Sequence, residues 1–123
     1  MKTTSMIAAA AVAVTSLIAS AETAAADFTL VRDEDTFRAL VDGRELRRFG
    51  VRLEVHPDGR ISGRGFGQTV TGTWGWSGNF FCRTLEWNTG SDPDNCQAVL
   101  RQDDTLRFVS DQGQGDHADF RLR

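Results

Sequence analysis

The residues of this sequence best suited to binding chemistry are three tryptophans with an arginine among them. Trp74 and Trp76 are two positions apart and therefore share one face of a strand, and Trp87 follows in the next apolar segment. Arg83 alternates there with apolar residues, so its guanidinium needs an anionic or stacking partner. The pattern predicts a small-molecule site with Arg83 as the anchor for an anion, and Arg107 is a second candidate of this kind. The other interpretation, which is the more common one for such residues in so small a domain, is that the tryptophans fill the core and that Arg83 stacks on one of them or extends its guanidinium to solvent.

A second group of residues could act as acids, bases or metal ligands. Its members are Asp111, Asp116, His117 and Asp119. Carboxylates around a histidine can bind a metal ion or transfer protons, but the same composition is typical of a solvated turn before a strand. Since no Gly-x-Ser-x-Gly motif accompanies the group, we expect a protein without catalytic residues, metal ion or cofactor. An envelope enzyme that uses these four residues is the alternative.

The glycine-rich stretch GRGFGQTVTGTWGWSG, residues 63–78, has the composition of a phosphate-binding loop. A dinucleotide fingerprint needs its third glycine at position 68, where Gln68 stands, and a helix afterwards. The residues that follow are β-branched and aromatic, which favours a strand. We therefore assign the stretch to β-structure, in which Gly63, Gly65 and Gly67 share one face of a bent strand.

An amphipathic helix is predicted ahead of this stretch. Asp33 is suited to be its N-cap, and Phe37, Leu40 and Val41 recur at the spacing of one helical face. Gly43 follows where a left-handed C-terminal residue belongs.

The remainder of the sequence has the period of β-strands. Phe49, Val51, Leu53 and Val55 alternate with polar residues, which predicts a single strand with one buried face. A Pro-Asp-Gly turn follows, and a second strand begins near Arg60. Further candidate strands cover 70–76, 80–88, 96–102, 105–110 and 118–122, while 27–31 is either a short strand or an extended arm. The predicted fold is mainly β (α+β): an N-terminal helix plus a six- to seven-stranded, strongly coiled antiparallel sheet or small barrel.

The first 26 of the 123 residues have the pattern of an export signal. Lys2 precedes an apolar, alanine-rich segment, and small residues suit cleavage after Ala21 or Ala26. A membrane-spanning helix is the alternative, but the apolar part is shorter than the roughly 20 residues that a span needs. We therefore expect a single domain over 27–123, periplasmic or secreted, with no membrane span after cleavage.

Charge and cysteine content limit the function further. The net charge is −3, and arginines and acids are interleaved without a basic stripe, so we expect no nucleic-acid partner. Cys82 and Cys96 are the two cysteines, and an even count in an exported chain predicts a disulfide. A redox-active or metal-binding thiol pair is the alternative.

Four motifs carry a resemblance to known proteins: TGTWGWSG, FFCRTLEW, NCQAV and LRFVSDQGQGDHADF. With them the chain resembles, from Phe28 to Leu122, a group of small exported proteins of alphaproteobacteria that has no assigned activity. Some members of that group are labelled dihydrodipicolinate reductase. That reaction needs a nicotinamide-binding Rossmann domain, and none of its motifs occurs in this sequence. The resemblance therefore implies an exported protein and not a reductase.

These patterns together favour a non-enzymatic module that binds a small ligand or another envelope protein. A further alternative is a scaffold similar to hydrolase inhibitors, in which a terminus or hairpin blocks a secreted hydrolase.

Overall fold

The computed structural model describes residue 3, residues 9–13 and residues 27–123. Most of the predicted export signal, including both candidate cleavage sites at Ala21 and Ala26, lies outside the described residues. Within the described part of the chain, no helix is long and apolar enough to cross a lipid bilayer.

Residues 27–123 form nine strands and two short helices. In chain order they are β1 (Thr29–Val31), α1 (Glu34–Val41), β2 (Glu45–Arg48), β3 (Val51–Val55), β4 (Arg60–Gly65), β5 (Gln68–Ser77), β6 (Phe80–Trp87), β7 (Gly90–Gln102), β8 (Thr105–Val109), α2 (Ser110–Gly113) and β9 (His117–Leu122). Helix α2 is a single turn in which Asp111 and Gln112 have positive φ angles of 55° and 57°.

Strands β2 to β9 form a closed, eight-stranded antiparallel barrel. Each strand pairs with its neighbour in the chain, and β9 returns to β2 with Leu122 opposite Leu46. Strand β1 lies outside this ring and pairs with the C-terminal part of β7. Closure leaves the eight barrel strands without a free edge.

The mostly β fold is confirmed, but the predicted number of six to seven strands is wrong, because the segment 45–55 is not one strand. The chain reverses at Phe49 and Gly50, where Arg48 pairs with Val51 and Gly50 has a φ of +74°. Phe49 is 93% exposed in this turn, whereas the alternation predicted a buried side chain. The two-residue turn leaves the alternation of the strand after it intact, so the period alone did not reveal it.

Helix α1 closes one end of the barrel and begins as the sequence predicted. The Asp33 carboxylate accepts a hydrogen bond of 2.7 Å from the Thr36 amide, and this bond lowers the pKa of Asp33. Phe37, Leu40 and Val41 form the buried face, and Gly43 follows with a φ of +65°. Phe37 is fully buried against four aromatic rings from the barrel interior, those of Trp74, Trp76, Phe81 and Phe108.

The two ends of the barrel differ. The helix end, as we call it, carries α1 and the turns β3–β4, β5–β6 and β7–β8. The mouth end carries the turns β2–β3, β4–β5 and β6–β7 together with α2. The antiparallel meander places successive turns at opposite ends, so these two sets alternate along the chain.

The predicted disulfide is confirmed. Cys82 of β6 lies directly opposite Cys96 of β7, and the two are bonded. Their neighbours Phe81 and Gln97 are buried in the barrel, so the disulfide lies on its outer face.

Candidate binding cavity

A cavity of about 410 Å³ occupies the barrel interior on the side of the mouth end. Phe81 and Phe108 line it and also contact Phe37 of the helix end, so these two rings form its floor. Its aliphatic walls come from inward positions of four strands: Leu46, Val51, Leu53, Val55, Ile61 and Leu85. Exposed residues such as Arg48 and Phe66 also line it, so the cavity opens at the mouth end.

Gly65, on the inner face of β4, makes room for a large ring over this cavity. A Cβ at Gly65 would come within 2.4 Å of the Trp87 ring, so that ring occupies the space that a side chain at position 65 would need. Gly63 is in the same strand, but Gly67 lies in the following turn with a φ of +79°. The prediction that all three glycines share one strand face is therefore wrong for Gly67.

Arg83 lines the cavity from β6 and is half-buried. Its guanidinium donates a hydrogen bond of 2.9 Å to the carbonyl oxygen of Pro93. Burial lowers the pKa of Arg83, while the nearby Asp92 and Asp94 oppose this shift. Within the described residues, Arg83 has no ion pair closer than 4.0 Å. The site thus contains a partly desolvated cation whose only described hydrogen bond is to a backbone carbonyl.

A β-bulge in β7 explains the bond between Arg83 and Pro93. Arg83 pairs with Asn95, but Leu85 pairs with Asp92, so Thr84 lies opposite two residues of β7. Proline lacks a backbone amide hydrogen, and a bulge is one of the few places in a sheet that tolerate it.

Trp87 and Arg48 lie at the mouth end of the cavity. The Trp87 indole donates to the Asp92 carboxylate at 3.4 Å, which holds the ring across the β6–β7 hairpin. Arg48 is exposed, and its guanidinium carbon lies 5.6 Å from the centre of the Phe120 ring, within the range of a cation–π contact.

Trp74 and Trp76 lie at the helix end and do not line this cavity. Both pack against Phe37, and the Arg38 guanidinium lies 4.9 Å from the centre of the Trp74 ring. Their indole groups donate to backbone carbonyls, at 2.7 Å from Trp74 to His56 and at 2.8 Å from Trp76 to Gly78. Trp74 is directly opposite Arg83 in the pairing of β5 with β6, but its ring packs against α1. The two tryptophans therefore belong to the aromatic cluster of the helix end, whereas Arg83 and Trp87 line the cavity.

Arg107 projects from the outer face of β8, away from the cavity. It makes two hydrogen bonds to Asp119, of 2.8 Å and 3.0 Å, and its guanidinium carbon lies 4.1 Å from the centre of the Phe28 ring. The hydrogen bonding raises the pKa of Arg107 and lowers the pKa of Asp119.

The four residues of the acid–histidine group are divided between different surroundings. Asp111 exchanges hydrogen bonds of 2.8 Å and 3.0 Å with Asn95, and Asp119 binds Arg107. Asp116 and His117 both line the mouth of the cavity. Among the described residues, no three His, Cys, Asp or Glu side chains are placed to hold a metal ion. An enzyme at this position would therefore depend on Asp116 and His117.

Sequence reasoning missed Arg48, Phe66 and Gln97 as lining residues. Gln97 is 7% exposed and donates to the Ser110 hydroxyl at 3.3 Å. The sequence does contain a signal for Arg48, since it lies two positions after the buried Leu46, but only once the turn at Phe49 is recognised. Phe66 has a φ of +50°, a conformation that the sequence gives no reason to expect for phenylalanine.

The chain was compared with protein-family models, with curated proteins and with solved structures, and none of them matches it.

Proposed function

We propose that this barrel is a non-enzymatic binding module for a small, mainly apolar molecule that carries one anionic group. The single observation that carries the proposal is an apolar cavity of about 410 Å³ lined by Arg83, a cation with no described ion pair. Cavities of a few hundred Å³ with apolar walls and a few polar groups are typical of small-molecule sites.

The walls select the apolar part of the molecule. Aliphatic and aromatic side chains of β2, β3, β4, β6, β8 and β9 surround the space, and burying the ligand against them supplies most of the binding free energy. The closed helix end limits how far the ligand penetrates, since the Phe37 cluster fills the barrel there.

The charged residues select the anion. A half-buried guanidinium gains more from an anionic partner than from a carbonyl oxygen, because charge-assisted hydrogen bonds are the stronger ones. Asp92 and Asp116 also line the cavity, so a multiply charged phosphate is disfavoured by repulsion. The arrangement therefore favours a monoanion such as a carboxylate.

We further propose that the protein acts after export, in the periplasm or as a secreted protein. The disulfide between Cys82 and Cys96 supports an oxidising compartment, and the signal pattern of residues 1–26 supports transport to it. The resemblance to exported alphaproteobacterial proteins points the same way. Intact-mass measurement on protein recovered from the periplasm would test this, since cleavage after Ala21 or Ala26 gives a defined loss of mass.

Calorimetric titration with dodecanoate and with dodecanol tests the ligand class. The two molecules share one apolar chain and differ in charge, so we expect dodecanoate to bind more tightly. Replacing Arg83→Met should weaken dodecanoate binding roughly tenfold or more, by loss of a charge-assisted hydrogen bond, and leave dodecanol binding nearly unchanged.

Two further variants complete this experiment. Arg107→Met removes an arginine from the outer face and should leave both affinities unchanged. Ala118→Trp places a large ring in the cavity, since Ala118 lines it, and should abolish binding of both molecules. Equal affinity of the wild type for both molecules would overturn the anionic class, and undiminished binding by Ala118→Trp would overturn the cavity as the site.

A further inference from the structure

Four arginines lie side by side on the outer face of the barrel. Arg121 of β9 pairs with Arg47 of β2, Arg47 pairs with Arg52 of β3, and Arg52 pairs with Arg64 of β4. Each is exposed and flanked in its strand by inward-facing residues. Directly opposed residues on neighbouring strands are about 5 Å apart, so this arginine row spans roughly 15 Å.

Within the described residues, the row is only partly neutralised. Arg47 forms an ion pair with Glu45, and Arg64 donates to the carbonyl oxygen of Gly67 at 2.8 Å. Arg52 and Arg121 have no hydrogen-bond or ion-pair partner in residues 27–123. Like charges directly opposite in a sheet destabilise it, so a continuous row of this kind indicates an anionic partner outside the chain.

Two exposed phenylalanines lie next to the row at the mouth end. Phe49, in the turn that joins β2 to β3, is 93% exposed, and Phe66, in the turn that joins β4 to β5, is 66% exposed. We call this pair the aromatic tip. Two large apolar side chains exposed on adjacent turns form a patch of the kind that marks an interaction site.

The backbone holds the aromatic tip in place. The Phe66 amide donates to the Gly50 carbonyl oxygen at 2.8 Å, which ties the two turns together. A Cβ built on Gly50 would come within 2.5 Å of the Phe66 ring, so the ring lies directly over that glycine. Phe66 has a φ of +50°, which is unfavourable for a bulky residue and indicates that the surroundings enforce its position.

We propose that the mouth end docks on the surface of an anionic phospholipid bilayer through the aromatic tip and the arginine row. Aromatic side chains enter the boundary between headgroups and acyl chains, and arginines just behind them bind lipid phosphates. The tip and the row have this order along the barrel axis, with the phenylalanines in the turns and the arginines within the strands. The inference goes beyond the proposed ligand binding and does not depend on it.

Local charge and not net charge drives this docking. The whole chain has a net charge of −3, but two of the nearest acids to the row are engaged, Glu45 by Arg47 and Asp119 by Arg107. The third, Glu54, lies farther toward the helix end on β3, with its carboxylate 3.7 Å from the His56 ring. Of the other acids of the mouth end, Asp92 and Asp94 belong to β7, and Asp111 and Asp116 belong to the connection between β8 and β9. Docking through β2, β3 and β4 therefore keeps those acids off the membrane surface.

Co-sedimentation with vesicles tests the proposal. The protein, purified after expression of the full chain, is mixed with vesicles of phosphatidylcholine alone and with vesicles of equal parts phosphatidylcholine and phosphatidylglycerol. We expect strong partitioning to the anionic vesicles only, and its loss in high salt because the Debye length falls to about 3 Å at 1 M.

Paired substitutions locate the surface. Arg52→Gln with Arg121→Gln should lower partitioning by more than tenfold, since each arginine near an anionic surface contributes roughly fivefold. Phe49→Ser with Phe66→Ser should lower it by about tenfold or more. Arg52→Lys with Arg121→Lys keeps both charges and should preserve binding. Arg32→Gln with Arg123→Gln removes two exposed arginines outside the mouth end, which have no described side-chain partner in residues 27–123, and is the matched control.

Thermal melts and vesicle partitioning of the variants together decide whether the proposal holds. All substituted residues are exposed, so a thermal melt of each variant should coincide closely with that of the wild type. Equal partitioning to both vesicle types, or anionic binding unaffected by either the arginine or the phenylalanine pair, would overturn the proposal. Binding to a DNA oligonucleotide without binding to vesicles would assign the row to nucleic acid instead. If the protein binds dodecanoate but does not bind vesicles, the proposal of a ligand in the cavity is supported and the proposal of membrane docking is refuted.

Discussion

Arg107 and Asp119 form a bidentate pair on the outer face of neighbouring strands, β8 and β9. The register places them directly opposite each other, and their hydrogen bonds of 2.8 Å and 3.0 Å match the fork of a guanidinium to a carboxylate. The Phe28 ring covers the Arg107 guanidinium, so this arginine anchors the segment before β1 to the barrel wall.

The pair predicts how stability depends on acid. The folded protein holds the pKa of Asp119 below its ordinary 3.8, so the pair stabilises the fold above that pH and loses its effect as the pH falls below it. Asp119→Asn should lower stability at neutral pH by up to about 1 kcal/mol, because the pair is partly exposed. Thermal melts from neutral to acidic pH should therefore decline less steeply for Asp119→Asn than for the wild type.

Asp103→Asn is the matched control for this measurement. Asp103 is exposed and its carboxylate has no described partner, so its pH profile should follow that of the wild type. If the melting temperatures of the wild type and of Asp119→Asn fall in parallel as the pH is lowered, the pair of Arg107 and Asp119 contributes nothing to acid sensitivity.

The alternation of polar and apolar residues along each strand accounts for the site residues that the sequence indicated. It identified Arg83 because an arginine among inward-facing apolar residues is conspicuous. It also grouped Arg83 with Trp74 and Trp76, and the register of β5 and β6 does place Trp74 opposite Arg83. A period of two assigns a face, but it does not reveal that both indole rings pack against α1 instead of lining the cavity.

Glycines of β5 differ in what surrounds them, and this gives a test at the scale of a single element. A Cβ at Gly72 would come within 2.0 Å of the Thr84 backbone oxygen, which belongs to the neighbouring strand β6. A Cβ at Gly75 would meet nothing within 4 Å, and Gly75 has no positive φ.

Gly72→Ala and Gly75→Ala should therefore have opposite outcomes. Gly72→Ala should destabilise the protein by about 1–3 kcal/mol, because two hydrogen-bonded backbones must move apart. Gly75→Ala should be neutral or slightly stabilising, since alanine restricts the unfolded chain. Urea unfolding of both variants measures the difference, and equal midpoints would contradict the close approach of β5 and β6.

Local signals predicted helix α1 well and the division into strands less well. Asp33, the spacing of Phe37 and Leu40, and Gly43 lie within a few residues of each other, so capping and periodicity suffice. The turn at Phe49 and Gly50 lacks a typical turn dipeptide, so the alternation of polar and apolar residues predicts one strand where the structure has two. The arginine row depends on the register of four strands, which no local pattern contains, so no basic stripe is visible in the sequence.

For the whole molecule, the disulfide ties β6 to β7 beside the bulge at Pro93. Replacing both Cys82→Ser and Cys96→Ser should lower the free energy of unfolding by roughly 3 kcal/mol, because the closed loop restricts the unfolded chain. Dodecanoate affinity should be unchanged at temperatures where the variant is folded, since the bond lies on the outer face. Urea unfolding under non-reducing conditions measures the loss, and an unchanged midpoint would contradict it.

The cavity is also a property of the whole molecule. It exists because eight strands close into a ring, and the sequence predicted a coiled sheet or small barrel without deciding whether the ring was complete. The interior volume depends on the number of strands and their tilt. The strand that was not predicted, because the turn at Phe49 was not recognised, therefore changes the expected interior volume as well as the number of strands.

Because β2 pairs with β9, the barrel cannot close while a nascent chain still lacks residues 117–122. Until then β2 and β8 each present an open edge to chaperones and to other extended chains. Contacts between segments far apart in sequence also form slowly, since loop-closure entropy opposes them. The complete ring can therefore form only after the C-terminal strand is available to β2.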